Sequence, residues 1–212
     1  ARNYKDCVDY EPVTGNWSIR HKTFLARNNT NAEVKYGLAR GNALQILEAT
    51  LNLRLEGQTI TGNVNRMFNV KGTLNICSCA ETGKILFNHT AAINGSVFQV
   101  SGKLSAAGIT IEKTADAAYA ARGLLHISTA SAEVKLYNTS ITGGAASEAG
   151  GNIWSTGQLY MEDCTISGGT ATQEGGNIFQ NNSKLTLVDC TVTGGNSGTQ
   201  GGNLYTGANA DV

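Results

Sequence analysis

The sequence predicts an all-β fold: a right-handed parallel β-helix of about six to seven coils over residues 47–212, behind an N-terminal cap at residues 1–46. Three observations carry this expectation. The segment Gly150-Gly151-Asn152-Ile153 returns as Gly175-Gly176-Asn177-Ile178 and as Gly201-Gly202-Asn203-Leu204, steps of 25 and 26 residues. A fixed period in the range of about 20–50 residues marks a stacked architecture. Between the repeats lie LYMEDCTISGG from Leu159 and LTLVDCTVTGG from Leu185, with VKLYNTSITGG from Val134 one period earlier. Their apolar residues alternate, which gives short strands with one inward face. No segment after residue 47 has convincing helical periodicity.

Taken in order, residues 1–46 hold much of the early charge, Pro12 and Trp17, and do not fit the repeat. They read as a cap, because an open solenoid end leaves unpaired backbone that must be covered. Downstream, Phe68, Phe98, Leu125, Ile153, Ile178 and Leu204 form one inward column. A second runs through Leu53, Leu74, Leu104, Val134, Leu159 and Leu185, and two residues later come Leu55, Ile76, Ala106, Leu136, Met161 and Leu187. A third strand supplies Ile60, Ile111, Ile141, Ile166 and Val192, after which the Gly-Gly pairs turn the chain. Stacking places like side chains about 4.8 Å apart, so each column becomes a ladder. The coil from Phe98 is expected to be weakened at Ala106, Ala107 and Gly108, and residues 115–122 read as a loop or a short helical turn. A new coil starts at Asn203, and no charge-rich or proline-containing cap follows it before Val212. The expectation there is an edge covered by further coils or by another subunit, hence a protein partner or self-association.

Composition narrows the function classes. The chain is 41% hydrophobic and only 15% charged, with 26 glycines and the single proline. Asn, Ser and Thr replace charge as the solvent-facing residues, as suits a β-rich surface. Sixteen basic residues balance sixteen acidic ones, which leaves no electrostatic footprint for nucleic acid. No run approaches the roughly 20 apolar residues of a membrane helix, so no direct membrane insertion is expected. Sequons at Asn16, Asn28, Asn88, Asn94, Asn138 and Asn181 are too easily produced by this composition to identify a compartment.

These repeats, together with LRLEGQTITGN from Leu53 and RMFNVKGTLNIC from Arg66, resemble the right-handed parallel β-helix group of the pectate-lyase-like superfamily. More closely, they are similar to secreted bacterial surface proteins with Gly-Gly-Asn-Ile repeats. The resemblance covers about residues 47–212 and implies a secreted or cell-surface location. It says little about activity, since the same solenoid carries lyases, hydrolases, adhesins and passive stalks.

The candidate residues follow from the columns. Beside the inward Ile153, Ile178 and Leu204 stand Trp154, Phe179 and Tyr205, continued upstream by His126, Gln99 and Asn69. Such a line of rings suits a sugar or a partner protein, or else simply bonds coil to coil. Asp163 and Asp189 fall in adjacent coils, with Glu162 beside the first and Asn138 one coil earlier. They are the candidates for a cation, although the favoured reading is a solvated polar position. No catalytic set converges, no cofactor is implied, and His21, His89 and His126 read as surface residues. Cys79, Cys164 and Cys190 are expected in one inward column with Ile109 and Thr139, buried and inert. Cys77 faces the other way without an obvious partner, and Cys7 lies in the cap. Ser140 with Thr142, Thr165 with Ser167, Thr191 with Thr193 and, earlier, Thr59 with Thr61 form a hydroxyl array like an ice-binding face, interrupted at Glu112. The leading expectation is a non-catalytic adhesin-like or structural scaffold. The alternatives are a carbohydrate-binding or carbohydrate-active β-helix and, third, an ice-binding Thr face.

Overall fold

The computed structural model describes residues 11–13, 17–19, 44–46, 48, 50–62, 66–88, 96–114 and 121–212. Among them there is no helix, and short parallel strands stack into a β-solenoid of about six turns. Sheet 1 stacks Glu11–Pro12, Thr50–Arg54, Thr73–Cys77, Lys103–Ala107, Glu133–Tyr137, Gln158–Glu162 and Leu185–Val188. Sheet 2 stacks Trp17–Ile19, Thr59–Gly62, Gly83–Phe87, Ile109–Lys113, Ser140–Thr142, Thr165–Ser167 and Thr191–Thr193. Sheet 3 stacks Leu44–Ile46, Phe68–Val70, Phe98–Val100, Leu125–Ile127, Ile153–Ser155, Ile178–Gln180 and Leu204–Thr206. From Ala145 onward each return also carries a two-residue strand, and Ala145–Ala146, Thr170–Ala171 and Asn196–Ser197 make a small fourth sheet.

The first strand of each large sheet comes from the 1–46 segment, with Trp17 opposite Ile60 and Leu44 opposite Phe68. Parallel pairing therefore extends upstream of residue 47. The remainder of that segment, including Cys7 and His21, lies outside the described residues, as do His89 and residues 115–120.

The core is the set of ladders. Leu44, Phe68, Phe98, Leu125, Ile153 and Ile178 are fully buried in register, and Leu204 is half-buried on the next rung. The Phe68 and Phe98 rings stack 4.6 Å apart and 7° from parallel. In sheet 1 the expected register slips at its upstream end: Leu51, not Leu53, faces Leu74, while Leu53 faces Ile76. A two-residue slip keeps the same face inward, so alternation does not reveal it. Leu55 instead fills the corner above Gly83, where a Cβ would collide with its side chain. Ile85 completes the third column between Ile60 and Ile111, a rung hidden in the sequence by the longer corner at residues 78–82. The same corner removes Cys79 from the column assigned to it, because the residue opposite Ile109 is Gly83. Lys103–Ala107 is a full five-residue strand paired in register on both sides. Two complete neighbours outweigh the weak strand preference of alanine there.

The Gly-Gly-Asn repeats have a definite structural use. Asn177 Oδ1 accepts from the Gly169 amide at 2.8 Å and from Asn152 Nδ2 at 2.7 Å. Its own Nδ2 donates to the Thr193 carbonyl at 2.8 Å and to Asn203 Oδ1 at 2.9 Å. Asn152 bonds the Gly144 amide and the Ser167 carbonyl in the same way, and Asn203 accepts from the Gly195 amide. The amide of Asn177, wholly buried, thus has all four of its bonds. Glycine is required where this amide docks, because a Cβ on Gly169 would meet the Gly176 carbonyl and Asn177 Oδ1. The preceding Gly175 has φ +65°, a left-handed conformation that glycine adopts at little cost.

Candidate functional site

Three outer faces carry the candidate residues. On sheet 3 the predicted column is real: Trp154 pairs with Phe179, and Phe179 with Tyr205. Phe179 stacks on Trp154 with centroids 5.7 Å apart at 19°, and on Tyr205 at 5.4 Å and 3°. The Arg122 guanidinium lies 4.7 Å from the Trp154 ring centroid, within cation–π range, while Glu148 holds its Nε at 2.8 Å. His126 meets Trp154 edge-on at 4.7 Å. Both faces of Phe179 are therefore taken by neighbouring rings, and those of Trp154 by Phe179 and Arg122. Stacking onto a sugar requires a free face, which Phe179 lacks, so the stacking here joins coil to coil, while Tyr205 has a ring against one face only.

His126 is not a surface residue. It is 7% exposed, its Nε2 has no hydrogen-bond partner, and its pKa is lowered to about 4, first by burial and then by the positive charges of Arg122 and Arg66. The imidazole is neutral at physiological pH.

Asp163 and Asp189 stack at the corner between sheets 1 and 2, exposed, with φ of +54° and +50°. Asn138 at φ +42° and Gly108 at φ +66° precede them at the same position. Their amides continue a ladder, Gly108 N to the Tyr137 carbonyl, Asn138 N to Glu162 and Asp163 N to Val188, at 2.9–3.0 Å. Asp, Asn and Gly are the residues that tolerate this backbone, which accounts for the column without a bound ion. The next corner position holds Thr139, Cys164 and Cys190. Each side chain bonds the carbonyl two residues back, Thr139 at 2.9 Å, Cys164 at 3.2 Å and Cys190 at 3.3 Å. Cys164 and Cys190 are free thiols; burial pushes Cys164 up to about 12, while Cys190 is only half-buried. Cys77 and Cys79 are disulfide-bonded, which corrects the expectation of an unpartnered Cys77 and an inert inward Cys79. Together with Ala107 and Tyr137 they form a small apolar cluster outside the main core.

The hydroxyl array occupies the outer face of sheet 2 on three successive coils, with Ser167 Oγ donating to Thr142 Oγ1 at 3.2 Å. Upstream it is broken by Lys84, Leu86 and Glu112, and Lys84 pairs with Glu112 at 2.8 Å.

The feature that sequence reading missed is on the outer face of sheet 1. Glu133, Lys135, Gln158, Tyr160, Lys184 and Thr186 line a trough of about 430 Å³. The inward-facing Val134 and Leu159 contribute its backbone floor. A second hollow of about 260 Å³ adjoins it, sharing Glu133 and Lys135 and adding Thr73, Asn75, Lys103 and Ser105. Register places these residues in two outward columns. One reads Thr73, Lys103, Glu133 and Gln158, and the other Asn75, Ser105, Lys135, Tyr160 and Thr186. Lys103 pairs with Glu133 at 3.2 Å, whereas among the described residues Lys135 and Lys184 have no ion-pair partner. The Tyr160 hydroxyl donates to Glu162 Oε2 at 2.8 Å, and that bond is the main cause raising its pKa to about 12. Tyr137 lies 5.8 Å away at a 47° tilt, so the Tyr160 ring has no parallel partner there. The residues were visible in the sequence, but no motif marks them; only the pairing of five coils brings them together.

A protein family described as “Domain of unknown function (DUF8437)” matches residues 3–82. The match spans residues on both sides of residue 47. No curated protein and no solved structure matches the chain.

Proposed function

We propose that the chain is a non-catalytic β-solenoid scaffold, adhesin-like or structural, that acts outside the cell or on its surface. The observation that carries this reading is that seven acidic residues among the described ones already serve the fold. Glu112 holds Lys84, Glu133 holds Lys103 and Glu148 holds Arg122. Glu56 accepts from the amides of Cys79 and Ala80, Glu162 accepts from Tyr160, and Asp163 and Asp189 sit in left-handed corners. A glycan-cleaving site needs carboxylates converging on one bond. The resemblance to secreted surface proteins with Gly-Gly-Asn-Ile repeats, and the disulfide-bonded Cys77 and Cys79, support the extracellular placement. Incubation with a panel of uronic-acid polymers tests the non-catalytic half: no turnover is expected. Cleavage abolished by Asp163→Asn or Asp189→Asn would overturn it. Antibody labelling of intact cells of the source organism tests the placement.

A second reading, carbohydrate binding without cleavage, is favoured by the sheet 1 trough. It offers a ring without a parallel ring against it, hydroxyl and amide groups, and charge on one continuous surface.

A further inference from the structure

We infer that the trough on the outer face of sheet 1 binds an acidic glycan chain lying along the solenoid axis. This rests on the carbohydrate-binding reading and names its site and ligand class. The two hollows share Glu133 and Lys135, so they form one path from the Thr73–Cys77 strand to the Leu185–Val188 strand. Five strands at about 4.8 Å give a path of roughly 19 Å, long and narrow as an extended oligosaccharide is. Its direction is set by the stacking, since successive strands follow one another along the axis.

The chemistry of the walls selects the occupant. Gln158, Thr186, Ser105, Asn75 and Thr73 supply uncharged donors and acceptors for hydroxyl groups. Tyr160 supplies an aromatic face without a parallel ring against it, unlike Trp154 or Phe179 on sheet 3. The bond to Glu162 anchors its hydroxyl and so fixes the ring before a ligand arrives. The charge is lopsided: Glu133 is neutralised by Lys103, which leaves Lys135 and Lys184 as the lysines of the main trough without an ion pair among the described residues, with Asp211 opposite Lys184 in the register. Lys135 is one strand before Tyr160 and Lys184 one strand after Gln158, so the two ammonium groups bracket the ring along the path. Carboxylate or sulfate groups on a sugar chain are the complement of that pattern. The distinction between the two anions is left to the ligand.

Calorimetric titration of the full chain with oligosaccharides of alginate, of chondroitin sulfate and of neutral cellulose tests the inference. The expected result is binding of one or both acidic chains, weakening as salt rises, with the cellulose chain at background. Lys135→Glu combined with Lys184→Glu should weaken it by about tenfold or more, since each lost exposed ion contact contributes up to about a factor of five. Tyr160→Ala should weaken it as well, and Lys71→Glu, an exposed lysine outside the trough, should leave it unchanged. Both mutated lysines are exposed, and an unchanged melting temperature will show that the fold is kept. Acidic chains bound no better than cellulose, or bound equally well by the double variant, overturn the inference. Cellulose binding that survives the lysine changes would leave the carbohydrate reading standing, whereas no binding to any of the three would remove both.

Discussion

Asn152 donates its side-chain amide to Asn177 Oδ1 at 2.7 Å, one coil further on, and Asn177 repeats the bond to Asn203 at 2.9 Å. Replacing Asn177 by alanine strands the Gly169 amide, the Thr193 carbonyl and the amide of Asn152. Unpaired buried groups cost about 1–3 kcal/mol each, partly recovered by local relaxation. Asn177→Ala should therefore lose about 3 kcal/mol in urea unfolding, and Asn203→Ala, on an exposed rung, distinctly less.

Ile166 is fully buried between Ile141 and Val192 of the neighbouring coils. Ile166→Asp places a carboxylate in an aliphatic ladder with no cation to meet it, a burden of several kcal/mol. The variant should be recovered only as insoluble or unfolded protein. Native-like circular dichroism from a soluble product would speak against the register of sheet 2.

Stability should fall as the pH drops from about 6.5 towards 4, because of His126. Its folded pKa, about 4, lies below the ordinary value of 6.5, so between the two the unfolded chain takes up a proton that the folded chain does not. The full contribution is present above about pH 6.5 and amounts to about 3 kcal/mol at most. Urea unfolding at several pH values, wild type against His126→Gln, isolates this from the titration of the carboxylates. The variant should have the flatter profile.

The two free thiols among the described residues should differ in reactivity. Cys190 is half-buried, while Cys164 is 2% exposed with its thiol pushed up to about 12. A thiol reagent at pH 8 should modify Cys190 before Cys164 and reach Cys164 only on unfolding, because the thiolate is the reacting form. Mass spectrometry of the labelled peptides reads the order.

What could be read from sequence and what could not divides along a physical line. The Gly-Gly-Asn-Ile period and the alternation of Ile141, Ile166 and Val192 are local patterns, and the structure puts them where the period requires. Register at Leu53 was out of reach, since a two-residue slip preserves every inward position. Ile85 and Cys79 were obscured by a corner longer than those of other coils. Trp154, Phe179 and Tyr205 were correctly aligned, but alignment does not disclose that Phe179 is stacked between the other two rings. The trough of Lys135, Tyr160 and Lys184 exists only across coils, where each coil contributes one or two unremarkable residues.

If the sheet 3 rings serve cohesion and sheet 1 serves recognition, one comparison tests that division directly: thermal melting and glycan-array binding of Trp154→Ala against Tyr160→Ala. Trp154→Ala should melt lower, by about 2 kcal/mol of stability from a lost half-buried ring, and retain the wild-type array signal in its folded fraction. Tyr160→Ala, which removes a half-buried ring without a stacked partner, should melt above Trp154→Ala and lose the signal. A Trp154→Ala protein that melts as wild type yet loses glycan binding would contradict the account.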